Sequence, residues 1–501
     1  MDISFESEIR DVVGAENIVR DPEILKKYSM DQSFTKSCMP DAVVFVKSVK
    51  EVQSVVRIAN KHHIPIIPYS SGMNLRGATI PNYGGIILNL TKMNKILMVN
   101  KEEGWVLIEP GVTYTQLQDE LSKYGLRVMV PFGTPPSRSV VSSIIEDEPT
   151  LAAASFEYGN ALYMDIEIVL PTGEILRFGK WKSLVDGRWG EPGGGGLQGE
   201  KDIHETIWIG AQGTFGIITK LVVKVEPIPK LSRIYFLTLD SDLDEETIRL
   251  VKEIQKREIG IECFALNNFN LAALLNKEWD LPENFPCESL PSKNFEELKE
   301  KLPVWTFILH ICGFSYFPEE KIAYEEEALY DVCKNFNVTP RRSISGVEED
   351  LESFMIKEIL RPWGILKKAH YKGSFHPVSF YVKPSMLLKV KKELDMVLTE
   401  KDYPLKDLGA FILPVERGRC FYCEFDLHCN LNNKEEREKV KNAWLKAYEA
   451  VIDMGAVPAH SYGLVAGIVS KRIDQVYLKK IKQIKQELDP NNIMNPGKLY
   501  F

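Results

Sequence analysis

No run in this chain of 501 residues approaches the ~18 consecutive apolar residues that a membrane helix requires. The opening MDISFESEIRD is acidic where a secretory leader would be basic and then apolar, so the expected location is cytoplasmic. A basic surplus is missing too. The formal net charge of -8 leaves no broad electrostatic footprint for nucleic acid, and the lysines of LKKIKQIK read as the solvated face of a helix. The eight cysteines (Cys38, Cys263, Cys287, Cys312, Cys333, Cys420, Cys423, Cys429) are scattered, which excludes a disulfide scaffold and predicts reduced thiols. None of them has the spacing of a metal or iron–sulfur ligand set, so no metal is expected in the chain and any such centre would sit on a partner. Internal repeats and low-complexity tracts are also absent. So are a Gly-Lys-Ser/Thr phosphate loop and a three-glycine dinucleotide fingerprint opening a helix.

What remains is the composition of a soluble globular protein, 44% hydrophobic and 26% charged, long enough for two or more domains. DAVVFVKS reads as a strand, SVKEVQSVVRIANKHH as a helix burying Val52, Val55, Val56 and Ala59, and IPIIP as a strand again, together one strand–helix–strand unit. Strands follow at GGIILNL, KILMVN and WVLIEPG, then the amphipathic helix TYTQLQDELSKYG closing on Gly125. LYMDIEIVLPTGEILRFG predicts a hairpin turning at Thr172 and Gly173, and FGIITKLVVKVEP a strand stopped by Pro227 and Pro229. Between them DGRWGEPGGGGLQGEKD reads as a loop, either a surface excursion or a lid or subunit contact. Beyond Lys230, acidic amphipathic helices such as DEETIRLVKEIQKREIG alternate with strands such as VWTFILHICGF, VSFYVKP and GAFILPV. That texture predicts a second, α+β domain with helices on one face of an antiparallel sheet.

The stretch PYSSGMNLRGAT follows the IPII strand directly. Its small residues can turn successive backbone N–H groups and hydroxyls into one concavity, a nest that binds phosphate oxygens without a lysine. Ordinary turn chemistry explains the same residues equally well when each is taken alone.

Tyr28 to Asp31, this turn, GGIILNLTKMNKI, IEPGVTYTQL, YGNALYMDIEIVLPTGEILRFG, WIGAQGTFGIITKLVVKVEP and finally LDPNNIMNPGK occur in an order that resembles the FAD-binding domain of the vanillyl-alcohol oxidase and para-cresol methylhydroxylase family. The resemblance spans most of residues 20–230 and 440–501. It implies an α+β, two-domain flavoprotein: a discontinuous FAD-binding domain, residues 1–228 completed by 456–501, and an antiparallel-sheet cap domain flanked by helices, residues 229–455. It further implies that Ser70, Ser71, Gly72, Met73 and Asn74 wrap the FAD pyrophosphate and that Pro110, Gly111 and Val112 line the adenine side. Gln212, Gly213, Gly216, Ile217 and Ile218 would lie along ribityl and adenine, where glycine permits close approach. Asn495 and Lys498 would reach the polar edge of the flavin ring.

Substrate identity is expected in the cap. RCFYCEFDLHCN alternates strictly: Phe421, Cys423, Phe425, Leu427 and Cys429 on one face, Tyr422, Glu424, Asp426 and His428 on the other. The apolar face should pack under helices, and the polar face is either solvated or, in the family architecture, turned towards substrate. Alternation also puts Cys420 and Cys423 on opposite faces, so they form no metal or redox pair. GSFHPVSFYV contributes His376, and AHSYG contributes His460 and Tyr462. The candidate catalytic set is therefore Glu424, His460, Tyr422, Tyr462, His376 and His428, one of which accepts a hydroxyl proton.

The resemblance implies an FAD-linked oxidase or dehydrogenase that takes a hydride from an alcohol or a similarly activated C–H compound. The family's phenol-holding tyrosine–arginine pair is not matched: VPAHSYG has no arginine, PFGTPPSRS has no aspartate, and the early tyrosine position falls near Leu75 or Arg76. A lactate- or glycolate-type 2-hydroxy-acid dehydrogenase, and a flavin-carrying electron-transfer subunit of a larger complex, stand as alternatives. The electrons pass to a separate acceptor, and oxygen, an electron-transferring flavoprotein, an iron–sulfur subunit and a cytochrome are all compatible with the sequence; the chain is expected to be a homo-oligomer or a subunit of a complex. No histidine flanks the phosphate turn, so a covalent flavin bond from that domain is not expected; a tyrosine or histidine of the cap is the alternative, with Tyr422 the outside candidate.

Overall fold

The computed structural model describes residues 3–73, 75–156, 162–179, 207–347 and 350–501. Asn74 and the glycine-rich loop lie outside the described residues.

The first sheet is ordered β1 (Ile18–Val19), β2 (Ala42–Phe45), β4 (Ile86–Asn89), β3 (Ile66–Tyr69). Both β2 and β3 run parallel to β4, which lies between them, so the strand–helix–strand unit encloses a third strand. All four residues of β4 are buried, as a central parallel strand covered on both faces requires. The intervening helix Val49–His62 starts where the Ser48 hydroxyl accepts from the Glu51 N–H and stops at His63 with φ 54°. Its face of Val52, Val55, Val56 and Ala59 is buried against the sheet.

The second sheet is antiparallel, β5 (Ile96–Asn100), β6 (Trp105–Ile108), β10 (Ile217–Lys224), β8 (Tyr163–Val169), β9 (Ile175–Gly179), with β8 and β9 forming the expected hairpin. A small ribbon joins β7 (Leu126–Arg127) to β11 (Glu226–Pro227). The C-terminal segment returns to the first sheet: the Ile66 N–H donates to the Ile493 carbonyl at 2.7 Å and the Asn495 N–H to the Ile66 carbonyl at 2.8 Å. The first domain is thus discontinuous, its last residues stitched to the strand that feeds the small-residue turn.

The cap is one seven-stranded sheet, β12 (Leu231–Leu239), β14 (Trp305–Gly313), β13 (Glu262–Asn267), β16 (Gly409–Val415), β17 (Cys420–His428), β15 (Phe375–Val382), β18 (Val457–Pro458), antiparallel throughout. Helices cover both of its faces, not one. The long helices Glu245–Lys256, Pro318–Lys334, Leu387–Glu400 and Lys434–Asp453 bury one face with Phe421, Cys423, Phe425 and Leu427. The shorter helices Asn268–Leu275, Lys293–Lys301 and Leu351–Leu360 cover part of the other. The reason lies in Asn268–Leu275, whose NFNLAALL is buried all round and cannot sit at a surface. The part of this second face that no helix covers looks onto the first domain.

A buried polar clamp joins the two domains. Arg127 of β7 pairs with Glu262 of β13 at 2.9 Å, Glu262 meets the His310 ring at 2.6 Å, and His310 meets the Ser232 hydroxyl at 2.8 Å. Burial would raise the Glu262 carboxyl, but Arg127 and His310 hold it down to about 2. All eight cysteines are free, and among the described residues no His/Cys/Asp/Glu cluster could hold a metal. No described helix is long and apolar enough to cross a membrane.

Candidate active site

Three loops converge at the end of β3. The first is the turn Ser70–Met73, where Gly72 sits at φ 68°. The second runs from Gln212 to Gly216: Gly213 lies at φ 72°, and a Cβ there would come within 2.9 Å of the Pro68 ring. The third enters the short helix Val140–Ile145, capped by Ser139, whose N–H donates to the Ser71 hydroxyl at 3.0 Å and whose hydroxyl donates to the Pro110 carbonyl at 2.6 Å. Together they line one cleft.

Ser70, Ser71, Gly72, Met73, Pro110, Gln212, Gly213, Gly216, Ile217 and Ile218 line this cleft. Gly111 and Val112 do not: a Cβ at Gly111 would meet three backbone carbonyls at 2.8–2.9 Å, and Val112 is core. Nor do Asn495 and Lys498 border it. The Asn495 amide donates to the carbonyls of Ala78 (3.1 Å) and Gln212 (2.7 Å), and the Lys498 ammonium donates to the Gly77 carbonyl (2.8 Å) and Asn82 (3.0 Å). Both are buried: Asn495 ties the segment after the turn to the opposing loop, Lys498 ties that segment to the C-terminal residues, and burial pushes Lys498 down to about 8. Val141, Ser142, Ile145, Glu146, Trp208 and Phe215 also line the cleft and were not foreseen. The readable signal was SRSVVSSII, a serine cap before a short apolar helix.

A glycine approach too close for any side chain and two serine hydroxyls make this cleft fit a dinucleotide diphosphate, and the Gln212 Oε1 atom, buried without a hydrogen-bond partner among the described residues, is an acceptor suited to a sugar or ribityl hydroxyl.

At Met73 the cleft meets a chamber of about 640 Å³ under the cap sheet, with Tyr422, Glu424, Phe411 and Lys368 on one side and Arg76, Arg138 and Glu148 on the other. Leu75, Arg76, Phe375 and Pro377 form a wall shared with a third cavity of about 490 Å³, lined by Phe34, His376, Trp444, Tyr448, His460 and Tyr462. Five of the six candidate catalytic residues therefore face two adjoining cavities. His428 faces neither. The polar face of β17 leaves the chamber and passes beneath Asn268–Leu275, so His428 is fully buried against Phe269 and Tyr371, their ring centroids 4.7 and 5.6 Å away.

The chamber's cations are all matched. Arg76 pairs with Glu148 at 2.7 Å, and Arg138 with Glu148 at 2.8 Å and with Glu146. Burial would raise Glu148, yet Arg138 and Arg76 hold it well below the usual carboxylate range. Lys368 pairs with Asp426 at 2.6 Å and Glu424 at 3.2 Å, and the Tyr422 hydroxyl donates to Glu424 at 2.9 Å. Burial pushes His460 well below its ordinary value, so it is neutral at pH 7. Its Nε2 and the Tyr462 hydroxyl have no hydrogen-bond partner among the described residues.

A model of the FAD-binding domain matches residues 40–179, and one of the C-terminal domain of FAD-linked oxidases matches residues 423–499. Over 481 residues the chain is 23% identical to the glycolate oxidase subunit GlcD of Bacillus subtilis, covering 94% of this chain and 92% of that protein. Over 510 residues it is 29% identical to the D-lactate dehydrogenase of Anaerostipes hadrus, covering 98% and 96%. The solved structure of p-cresol methylhydroxylase with substrate bound superposes with a TM-score of 0.79 at 20% identity, covering 99% of this chain and 96% of that one, which establishes a common fold. Fold and site define an FAD-linked flavoprotein oxidoreductase. The chain is an FAD-linked oxidase or dehydrogenase, with an FAD-binding domain of the p-cresol methylhydroxylase type and FAD as its cofactor.

Proposed function

We propose that this chain oxidises a neutral alcohol, or a similarly activated C–H compound, and passes the electrons to a separate acceptor protein. Charge balance in the chamber carries the reading. Two arginines face two carboxylates and one lysine faces two more, so with every carboxylate ionised the buried charge is one negative charge in excess. A substrate carboxylate would enter as an unmatched anion, and a neutral hydroxyl would not.

Bound FAD, held by the Ser70–Met73 turn and the Gln212–Ile218 segment, supplies the hydride acceptor. The chain's own residues supply the rest. Glu424, aimed by Tyr422 and Lys368, accepts the substrate's hydroxyl proton. Phe132, Phe411 and Phe375 give the chamber an apolar wall. Tyr462 and His460 offer a donor and a neutral ring nitrogen to a polar group on the rest of the substrate, among the aromatic walls of the third cavity. An electron-transferring flavoprotein, an iron–sulfur subunit or a cytochrome each fits the acceptor role.

One observation favours a second reading, a 2-hydroxy-acid dehydrogenase. The relatives matched over nearly the full length are named for glycolate and D-lactate, and Arg76 and Arg138 could bind a carboxylate if Glu148 gave them up. Dye-linked turnover of benzylic and aliphatic alcohols set against lactate and glycolate separates the two. Turnover of alcohols supports the proposal, and turnover confined to the hydroxy acids replaces it.

A further inference from the structure

Lys368 lies on the short 3-10 helix Gly364–Tyr371 and is 3% exposed, its ammonium 4.5 Å above the Phe375 ring. It bridges Asp426 and Glu424, neighbours on the polar face of β17. Only Glu424 and Lys368 of these three line the chamber. Asp426 stands behind them, fully buried: its Oδ2 accepts from the Asn270 amide at 3.3 Å and its Oδ1 has no hydrogen-bond partner among the described residues. A buried aspartate, one more carboxylate than the ammonium needs, is costly unless it serves a purpose.

We propose that Lys368 is a positioning residue shared between Glu424 and Asp426, so that Asp426 remains as its counter-ion when Glu424 takes the substrate proton. The inference rests on the reading of Glu424 as the acceptor. The substrate O–H bond breaks, an O–H bond forms on the Glu424 carboxylate, and the electron pair of the broken bond is left on the substrate oxygen, from which it would become the second C–O bond of the carbonyl as the C–H pair leaves as hydride to bound FAD. Before transfer the cluster holds one ammonium and two carboxylates. Afterwards it holds one ammonium, one carboxylate and one neutral acid, so the transfer cancels a buried charge instead of stranding one.

The surroundings are consistent with this. Glu424 faces Tyr422 on its own strand and Lys368 from the 3-10 helix, pairs across the sheet with Ser379 and Phe411, and shares its chamber with Arg76, Arg138 and Glu148. Asp426 faces Asn270 and Lys368, lies opposite Gly409 and Pro377, and has His428 two positions along. Lys372 nearby is taken by Asp407 and Glu436. Burial, opposed by Lys368 and reinforced by the Glu424 charge, pushes Asp426 up to about 7, so the cluster holds its two carboxylates only above that pH, and the part of the rise owed to Glu424 is lost when Glu424 takes the proton.

The test compares FAD-loaded, full-length wild type with Asp426→Asn, Lys368→Met and Lys368→Arg. The first readout is the pH profile of kcat/KM, and the second, without substrate, is the infrared band of protonated carboxyl groups followed against pH. Removing Asp426 leaves the whole ammonium to Glu424, so the acid limb should move down by about one pH unit or more. Removing Lys368 should move it up by a similar amount, and Lys368→Arg should leave it in place. Shifts of the same sign for Asp426→Asn and Lys368→Met, or no shift in either, overturn the proposal. If Lys368→Met does not fold, the sign of the Asp426→Asn shift decides. A Glu424→Gln variant that keeps full turnover removes the underlying reading of the acceptor, and the infrared titration then still tests the sharing on its own.

Discussion

The side-chain amide of Asn495 donates to the backbone carbonyl of Gln212 at 2.7 Å, across 283 positions of sequence. This bond fixes the last turn of the chain to the loop that closes the cofactor cleft, and the same amide holds the Ala78 carbonyl. Asn495→Ala leaves two buried carbonyls without this donor, which should cost about 1–3 kcal/mol. Because the cost falls on the cleft wall, FAD titration should report weaker binding along with a lower melting temperature.

Gly213 is held at φ 72° against the Pro68 ring. Gly213→Ala bears backbone strain of about 1–2 kcal/mol and also forces Pro68, at the root of the phosphate turn, to move. Gly125, at φ 70° with open space for 4 Å around the position a Cβ would take and outside the cleft lining, is the control that bears the strain alone. The FAD dissociation constant should rise about tenfold or more for Gly213→Ala and clearly less for Gly125→Ala.

Glu262 is depressed from 4.5 to about 2 in the folded protein. A depressed carboxylate contributes stability above its unfolded value and loses it as pH falls through the folded one. Denaturant unfolding of the wild type should therefore lose stability between about pH 4.5 and 2, with Glu262 contributing a share that Glu262→Gln removes. At neutral pH Arg127→Met, which strands Glu262 beside His310, should cost about 3–5 kcal/mol.

The Tyr462 hydroxyl is buried without a hydrogen-bond partner among the described residues, a state that costs folding free energy. Tyr462→Phe should melt at the same or a higher temperature than the wild type while raising KM. A stability gain with a binding loss marks a group kept for its ligand. An unchanged KM would show that the third cavity does not bind this part of the substrate.

Glu424→Gln should retain FAD and fold normally, and lose about 10²-fold or more in kcat. Stopped-flow reduction checks that the loss falls on the chemical step.

Most of the architecture was legible because its elements carry strong local signals. The Val52, Val55, Val56, Ala59 stripe and the strict alternation of β17 leave little choice of element or facing. Relationships between segments distant in sequence were not legible. Nothing local tells that β4 enters between β2 and β3, or that NFNLAALL lies across the second face of the cap sheet. That helix also explains His428: alternation assigns a face correctly, but the face changes its neighbour along the strand, from chamber to core. The cleft's glycine and serine residues were readable from turn chemistry. The chamber's Arg76, Arg138, Glu148 and Lys368 were not, because each comes from a different segment and only their pairing identifies them.

Anaerobic mixing of the FAD-loaded protein with single substrates, followed by visible absorbance, tests the central claim most directly. A charge-matched chamber predicts rapid bleaching of the flavin by a neutral alcohol and none by lactate or glycolate. Bleaching by those hydroxy acids while every neutral alcohol leaves the spectrum unchanged would contradict it.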